Sequence, residues 1–167
     1  KFEQYIFNEG NCKTHFLHIK SHKKNAIPLV LIHGWPGSVF EFFDVIPLLT
    51  NPEANNFLNY QHFDLIIPSL PNVGFSFDKN QYPLGLDEIS NHFIKLMDSL
   101  GYDKYFIQGG DLGSFIASIM SVKVPTKIKG IHLNMIPLPR GLDKKPNNPT
   151  EKKYYKELKN FLHYEAG

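Results

Sequence analysis

An aspartate flanked by glycines is the residue best placed to do chemistry. Asp111 lies in the stretch Gly109-Gly110-Asp111-Leu112-Gly113-Ser114, between a short apolar run and a predicted helix. Small residues at a sharp strand-to-helix turn allow one side chain to stand above the end of a sheet. A carboxylate in that position can attack an alkyl carbon and form an ester, which suits the opening of an epoxide or the displacement of a halide. The positive end of the helix also favours the ionised form of Asp111.

A second loop strengthens this interpretation. Taken alone, the first stretch is equally typical of an ordinary helix cap in which Asp111 binds backbone N–H groups. Ile32-His33-Gly34-Trp35-Pro36-Gly37-Ser38, however, directly follows another apolar run. A loop there supplies one N–H of an oxyanion hole, and the residue after the nucleophile supplies the other. The predicted donors are the backbones of Trp35 and Leu112. The predicted supporting residues are His33, Gly34, Pro36, Gly37, Gly109, Gly110 and Gly113.

The elements that position these loops alternate between strand and helix. Apolar runs predict strands over 2–7, 14–19, 27–32, 63–67, 105–107 and 127–135, all but the first two buried. Helical spacing predicts helices after Ser38 (through Phe40, Phe43, Ile46 and Leu49), over 86–100, over 111–123 and from Thr150. This order predicts an α/β fold with a mostly parallel sheet, helices on both faces and an antiparallel N-terminal edge. Prolines after Ile136 indicate a linker, which divides the chain into 1–137 and 138–167.

Composition excludes several classes of function. The 167 residues carry a net charge of +2 and a single arginine, Arg140, which argues against nucleic-acid binding. The single cysteine, Cys12, excludes an internal disulfide and a cysteine-based zinc site. No apolar stretch approaches the ~20 residues of a membrane span, so no membrane anchor is expected within this chain. We predict neither a metal nor a cofactor.

The motifs HGWPGSVFEF, PSLPNVGFS, GGDLGS and IHLNM together resemble the epoxide hydrolases of the α/β-hydrolase fold. The resemblance runs along the whole chain and is closest to the microsomal and juvenile hormone branch, of which it covers the N-terminal catalytic portion. It implies that Asp111 attacks an apolar epoxide, that cap-domain tyrosines protonate the leaving oxygen, and that a histidine paired with an acid activates water to release a vicinal diol. It further implies a cis peptide bond before Pro36, a role such as xenobiotic detoxification, and a cytoplasmic or endoplasmic-reticulum-associated location.

The chain also departs from that pattern. Leu112 stands where the family commonly has tryptophan. Only His132 and His163 follow Asp111, and we predict His132 to be a packing residue of a buried strand. The acid, the base and the cap domain beyond its first helix are therefore expected after Gly167, so that the chain alone is expected to be inactive. The remainder of the same protein, or another chain, would complete the sheet.

Other functions stay open at this point. A truncated, non-catalytic paralogue with a binding or structural role would also lack the base and acid. A haloalkane dehalogenase shares the aspartate, but Asn134 and Met135 are not carboxylates where some dehalogenases carry the acid. An ester hydrolase would place serine or cysteine at position 111. The sequence leaves open the identity of the substrate and whether the natural protein carries a membrane anchor.

Overall fold

A six-stranded sheet in the order β1-β2-β4-β3-β5-β6 organises the fold. The computed structural model describes residues 2–136 and 145–164. The strands are β1 Gln4–Glu9, β2 Cys12–Ile19, β3 Ile27–Ile32, β4 Phe63–Pro68, β5 Tyr105–Gly109 and β6 Ile128–Leu133. The α-helices are α1 Ile46–Thr50, α2 Leu86–Ser99, α3 Leu112–Lys123 and α4 Pro149–Tyr164. Short 3₁₀ helices span Val39–Phe42, Pro52–Asn55 and Gly74–Ser76.

The direction of the strands follows from their connections. β1 and β2 pair antiparallel across a turn at Gly10, where φ is +58°, and β2 pairs antiparallel with β4. β4, β3, β5 and β6 run parallel in that order, and the connections from β3 to β4, from β4 to β5 and from β5 to β6 are crossovers. The predicted parallel sheet with an antiparallel N-terminal edge is therefore confirmed.

Apolar side chains pack on both faces of the sheet. On one face, α2 and α3 cover Val30, Ile32, Ile66 and Ile107, and the helix residues Phe93 and Met97 are fully buried there. On the other face, the short segment around α1 covers Leu31, Leu65 and Ile67. Strands buried on both faces need nearly continuous apolar runs, which explains why β3 and β4 were readily predicted from the sequence.

The helix predicted after Ser38 is not continuous. The structure has a 3₁₀ helix, then α1, then a second 3₁₀ helix. Pro47 lies in the first turn of α1 and Pro52 begins the second 3₁₀ helix. Because proline lacks a backbone N–H, each one starts a new helical segment rather than extending the previous one. Ser38 nevertheless accepts a hydrogen bond from the Phe40 N–H at 3.3 Å.

The prediction that 127–135 forms a buried strand is wrong. β6 lies at the edge of the described sheet, where β5 is its only strand neighbour, and Ile131 remains 45% exposed. His132 is likewise exposed rather than packed in the core. An apolar pattern reports what a strand can bury, and the described part of this unit does not cover the outer side of β6.

The chain divides into two compact units, Lys1–Pro137 and Leu138–Gly167. The second unit contains α4, in which the Tyr154 and Tyr155 rings lie 6.2 Å apart. Much of the predicted proline-rich linker falls outside the described residues. Within the described ranges, no helix combines the length and apolar character needed to cross a membrane.

Candidate functional site

The sheet register brings the two predicted loops together. Ile32 of β3 pairs with Gly109 of β5, and Gly109 in turn pairs with Leu133 of β6. The next residues along these parallel strands therefore emerge side by side at the carboxyl edge of the sheet. This is the edge at which α/β sheets place their ligand sites.

Asp111 occupies a strained turn between β5 and α3. Its backbone has φ +50° and ψ −125°, a conformation that costs a non-glycine residue on the order of 1–3 kcal/mol. Ser114 stabilises the turn, since its N–H and its hydroxyl both donate to the Asp111 carbonyl oxygen, at 3.0 and 2.6 Å. The Asp111 side chain does not make the usual N-cap hydrogen bond, which would come from the N–H of Gly113 or Ser114 in α3. The interpretation of Asp111 as an ordinary helix cap is therefore wrong.

Two backbone N–H groups meet at the Asp111 carboxylate. The Trp35 N–H donates to Oδ1 at 2.9 Å, and a weaker hydrogen-bonding interaction with the Leu112 N–H also stabilises the carboxylate. These hydrogen bonds, that of Trp35 first, lower the pKa of Asp111 below its ordinary value of 3.8. The structure thus places both predicted oxyanion-hole donors on the predicted nucleophile, and Asp111 is ionised at neutral pH.

Close packing explains the glycines of this site. A Cβ on Gly34 would lie 2.5 Å from the Asp111 Cβ and 2.8 Å from its Oδ1. A Cβ on Gly113 would lie 2.8 Å from the Ile32 carbonyl carbon and 3.0 Å from the His33 carbonyl oxygen. Gly109 meets the α3 backbone at Gly113 in the same way. Any side chain at these positions would push the two loops apart.

His33 joins the first loop to the segment after β4. It is 1% exposed, and its Nε2 accepts a hydrogen bond from the Leu70 N–H at 3.0 Å. Nδ1 must therefore carry the proton, which it donates to the Gly34 carbonyl oxygen at 2.8 Å. Burial lowers the pKa of His33. The imidazole is neutral, and both of its nitrogens are used in holding the loop.

The sequence did not predict the support beneath Leu70. The Ser76 hydroxyl donates to the Ser69 carbonyl oxygen at 2.9 Å and accepts from the His15 N–H at 3.0 Å. The His15 ring also hydrogen-bonds to the Ser69 hydroxyl at 2.9 Å. These contacts hold the segment after β4 against β2. Because the two contacts with His15 join residues 61 and 54 positions apart, no local sequence pattern could reveal them.

The loop of residues 33–38, which follows β3, changes direction at Pro36. The Trp35–Pro36 bond is cis, as the family resemblance predicted. Glu41 accepts a hydrogen bond from the Ser38 N–H at 3.0 Å and lies against Gly37, which leaves no room for a side chain there. The Trp35 side chain is 65% exposed, so its ring is free to meet a ligand while its backbone binds Asp111.

A cavity of about 360 Å³ lies beside Asp111. Its wall includes the loop His33–Pro36 together with Glu41, Gln108 and Asn134. The last two were not predicted as site residues. The strand register could have identified both residues. Gln108 precedes the turn at the end of β5, and Asn134 follows β6 directly beside Gly110.

A larger apolar groove of about 620 Å³ adjoins this cavity along the sheet. Leu31, Phe63 and Phe106 line it, and Glu41, Phe42 and Gln108 are shared by both cavities. His132 lies in the groove and does not line the Asp111 cavity, whereas the side chain of His163 lies outside the described residues. Among the described residues, no group of three or more histidine, cysteine or acidic side chains is placed to hold a metal ion.

Comparison with known proteins identifies the family. The model of the alpha/beta hydrolase fold matches residues 27–164. The chain belongs to the α/β-hydrolase fold family. In addition, residues 1–42 of this α/β-hydrolase match the model described as the epoxide hydrolase N terminus.

The relatives of this α/β-hydrolase are epoxide hydrolases, which confirms the resemblance predicted from the motifs. Juvenile hormone epoxide hydrolase 1 of Ctenocephalides felis is 42% identical over 139 residues, which are 81% of this chain and 29% of that protein. Epoxide hydrolase 1 of Oryctolagus cuniculus is 40% identical over 125 residues, 72% of this chain and 28% of that protein. The chain thus spans less than a third of the length of either relative.

Solved structures agree with this assignment. The juvenile hormone epoxide hydrolase of the silkworm Bombyx mori superimposes with a TM-score of 0.72 and 38% identity. The match covers 81% of this chain and 36% of that structure. The α/β-hydrolase fold predicted from the sequence is therefore confirmed.

Proposed function

We propose that the protein containing residues 1–167 hydrolyses an apolar epoxide to a vicinal diol through an alkyl ester on Asp111. The observation that carries this proposal is the convergence of the Trp35 and Leu112 N–H groups on the Asp111 carboxylate. An ionised carboxylate held by one oxygen in a strained turn is arranged for nucleophilic attack. The epoxide hydrolase relatives support the choice of substrate class.

In the first step, Asp111 opens the epoxide. Oδ1 is bound by the Trp35 N–H, so Oδ2 is the oxygen that attacks the less hindered ring carbon. The new bond joins Oδ2 to that carbon, the ring C–O bond breaks, and the ring oxygen takes a proton from an acid. By family resemblance, this acid is a tyrosine of the cap domain. The product of the step is an ester between Asp111 and the hydroxyalkyl group.

In the second step, water attacks the Asp111 carbonyl carbon, Cγ. Negative charge develops on Oδ1, where the N–H groups of Trp35 and Leu112 can stabilise it. Collapse of this intermediate breaks the Cγ–Oδ2 bond, and the departing alkoxide takes the proton that the base removed from water, which releases the diol. The proton left on the Asp111 carboxyl group returns to the cap-domain acid, which regenerates the carboxylate. His33 is not the base in this proposal, because both of its ring nitrogens already hold the loop.

The proposal places the base and its acid partner outside residues 1–167, in a further part of the same protein. The length of the relatives, more than three times the matched segment, is consistent with this. The same further part would cover the apolar groove beside the cavity. An exposed groove equally fits a non-catalytic binding protein. The two functions differ in whether the full-length protein turns over an epoxide.

The test uses the full-length protein with styrene oxide as probe substrate. Acid quenching during turnover should yield a protein heavier by one substrate, with the adduct on the peptide that contains Asp111. Asp111→Ala should lower diol formation by at least about 10⁴-fold, in line with losses seen on removing catalytic residues. Asp44→Ala, which changes an exposed aspartate outside the cavity, is the matched control and should retain activity.

Two outcomes would overturn the proposal. An unmodified wild-type protein with no diol product would favour the non-catalytic alternative. Halide release from a haloalkane without turnover of epoxides would favour a dehalogenase.

A further inference from the structure

Of the described residues that line the Asp111 cavity, Gln108 is the one with a buried polar side-chain atom that has no hydrogen-bond partner. Its Oε1 is fully buried, yet within the described ranges it accepts no hydrogen bond. A buried amide oxygen left in this state costs about 1–3 kcal/mol. An unsatisfied buried group of this kind needs an explanation, and a partner that arrives with the reaction is one.

The neighbours of Gln108 in the sheet do not satisfy this oxygen. The strand register places Leu31 on one side of Gln108 and His132 on the other. Leu31 has no donor, and the exposed His132 makes no hydrogen bond to Gln108. The amide oxygen is therefore unpaired and shielded from solvent, while the Gln108 residue lines both the Asp111 cavity and the groove.

The proposed second step requires an acceptor in this cavity. A water that attacks Cγ directs a lone pair at that carbon and gives one hydrogen to the base. Its second hydrogen needs an acceptor of its own, because an unpaired O–H in an enclosed site is costly. Fixing both hydrogens also fixes the direction of the lone pair.

The other polar groups on the cavity wall are less suited to this role. Glu41 already uses Oε1 to accept the Ser38 N–H. Asn134 is exposed to solvent, so its amide is satisfied by bulk water. Gln108 alone combines a buried acceptor with a place on the cavity wall.

We propose that Gln108 is a positioning residue. Rotation of its amide turns Oε1 toward the Asp111 cavity, where this oxygen accepts a hydrogen bond from the hydrolytic water. It holds this water for attack on the Asp111 ester, while the proton removed from the water goes to the base. This inference rests on the proposed function, since it assigns a role only in the second step. The first step requires no contact with Gln108.

This division predicts a distinctive kinetic signature. A variant that slows only ester hydrolysis has a lower kcat and a lower KM by the same factor, so kcat/KM is unchanged. When ester formation is irreversible, kcat/KM depends only on the steps up to and including that formation. A merely structural role would instead lower kcat/KM. Loss of one hydrogen bond to the reacting water should slow hydrolysis by about 10- to 100-fold.

The experiment compares Gln108→Met and Gln108→Glu in the full-length protein with styrene oxide. Methionine keeps the length of the side chain but removes the acceptor, so kcat and KM should both fall about 10- to 100-fold while acid-quenched ester accumulates. Glutamate keeps an acceptor oxygen and should restore hydrolysis to within about 5-fold of wild type. Gln81→Leu, which removes a buried glutamine that does not line the Asp111 cavity, should change stability without this signature.

The outcomes separate this inference from the function on which it rests. If wild type forms no ester, the proposed function fails. If wild type forms the ester but Gln108→Met lowers kcat/KM without accumulating it, Gln108 is structural and the inference fails. The same conclusion follows if Gln108→Met turns over as wild type does, or if Gln108→Glu is no better than Gln108→Met.

Discussion

His33 and His92 are two almost completely buried histidines, 1% and 3% exposed, that lie in different parts of the fold. Both ring nitrogens of His33 hydrogen-bond to backbone groups that shape the Asp111 site. Neither ring nitrogen of His92 has a hydrogen bond among the described residues, and its nearest ionic neighbour is a Glu9 oxygen at 3.8 Å. Burial lowers the pKa of both rings, so both are neutral at pH 7.

This difference shows where precise geometry matters in the molecule. Around Asp111, each loop is held by directed hydrogen bonds and by glycines that admit no extra atom. At the junction of the β1–β2 hairpin with α2, contact is made by the Phe7 ring at 4.9 Å from His92 and by the ion pair between Glu9 and Lys95. Packing and an exposed ion pair tolerate small displacements, whereas the proposed oxyanion hole would not.

Among the changes that test this difference between the two regions, the largest effect is expected from adding one methyl group beside Asp111. Gly34→Ala would place a Cβ against Asp111, so the loop and the carboxylate must separate. Since losing a single oxyanion donor costs about 10²- to 10³-fold, we expect kcat/KM for epoxide hydrolysis to fall by about 10³-fold. Gly85→Ala is the matched control, because its Cβ would meet only a Glu88 carboxylate oxygen, at 3.6 Å. Equal activity of the two variants would contradict the close packing described for Gly34.

A smaller effect is expected when the link made by His33 is removed. His33→Leu leaves the Gly34 carbonyl and the Leu70 N–H buried without partners, at about 1–3 kcal/mol each. We expect the free energy of unfolding to fall by about 2–4 kcal/mol, and kcat/KM to fall by about 10- to 100-fold. Denaturant unfolding and steady-state kinetics measure the two effects. If stability alone falls, His33 supports the fold without shaping the site.

Much of the fold and of the Asp111 site could be predicted, because local sequence patterns determine the strands, the helices and the turns between them. The apolar runs of β3 and β4 and the spacing of α2 follow from burial. The two glycine-containing loops follow from the sharp turns at the strand ends, and strand order then brings Trp35 and Asp111 together. The exposed β6 was predicted to be buried because an apolar run reports only a capacity for burial.

The rest depends on contacts between distant residues. The Leu70 N–H that binds His33 is 37 positions away along the chain. Gln108 was overlooked because a glutamine within a strand carries no local signal, and its place on the wall of the Asp111 cavity appears only in the folded sheet. The two prolines that divide the helix after Ser38 are visible in the sequence, but the apolar spacing there was given more weight.

The smallest predicted effect concerns His92 and appears only as pH falls. Burial holds its pKa below the ordinary value of 6.5, so the unfolded chain binds a proton at a higher pH than the folded chain does. The stability associated with neutral His92 is therefore fully present above about pH 6.5 and decreases as pH falls from there toward the lowered pKa. The nearby Glu9 carboxylate reduces this shift without reversing it, because desolvation is the larger cause.

His92→Leu should abolish that decrease. Replacing an unpartnered polar ring by an apolar side chain should leave stability within about 1 kcal/mol of wild type at pH 8. At pH 5.5 the variant should be the more stable of the two, because it has no buried imidazole to protonate. Since His15, His18 and His33 keep their own lowered pKa values in both proteins, the difference between the two unfolding curves isolates His92. If the wild-type protein is instead more stable than the variant at pH 5.5, protonated His92 pairs with Glu9. The junction would then resemble the Asp111 site, because it would depend on a directed polar contact.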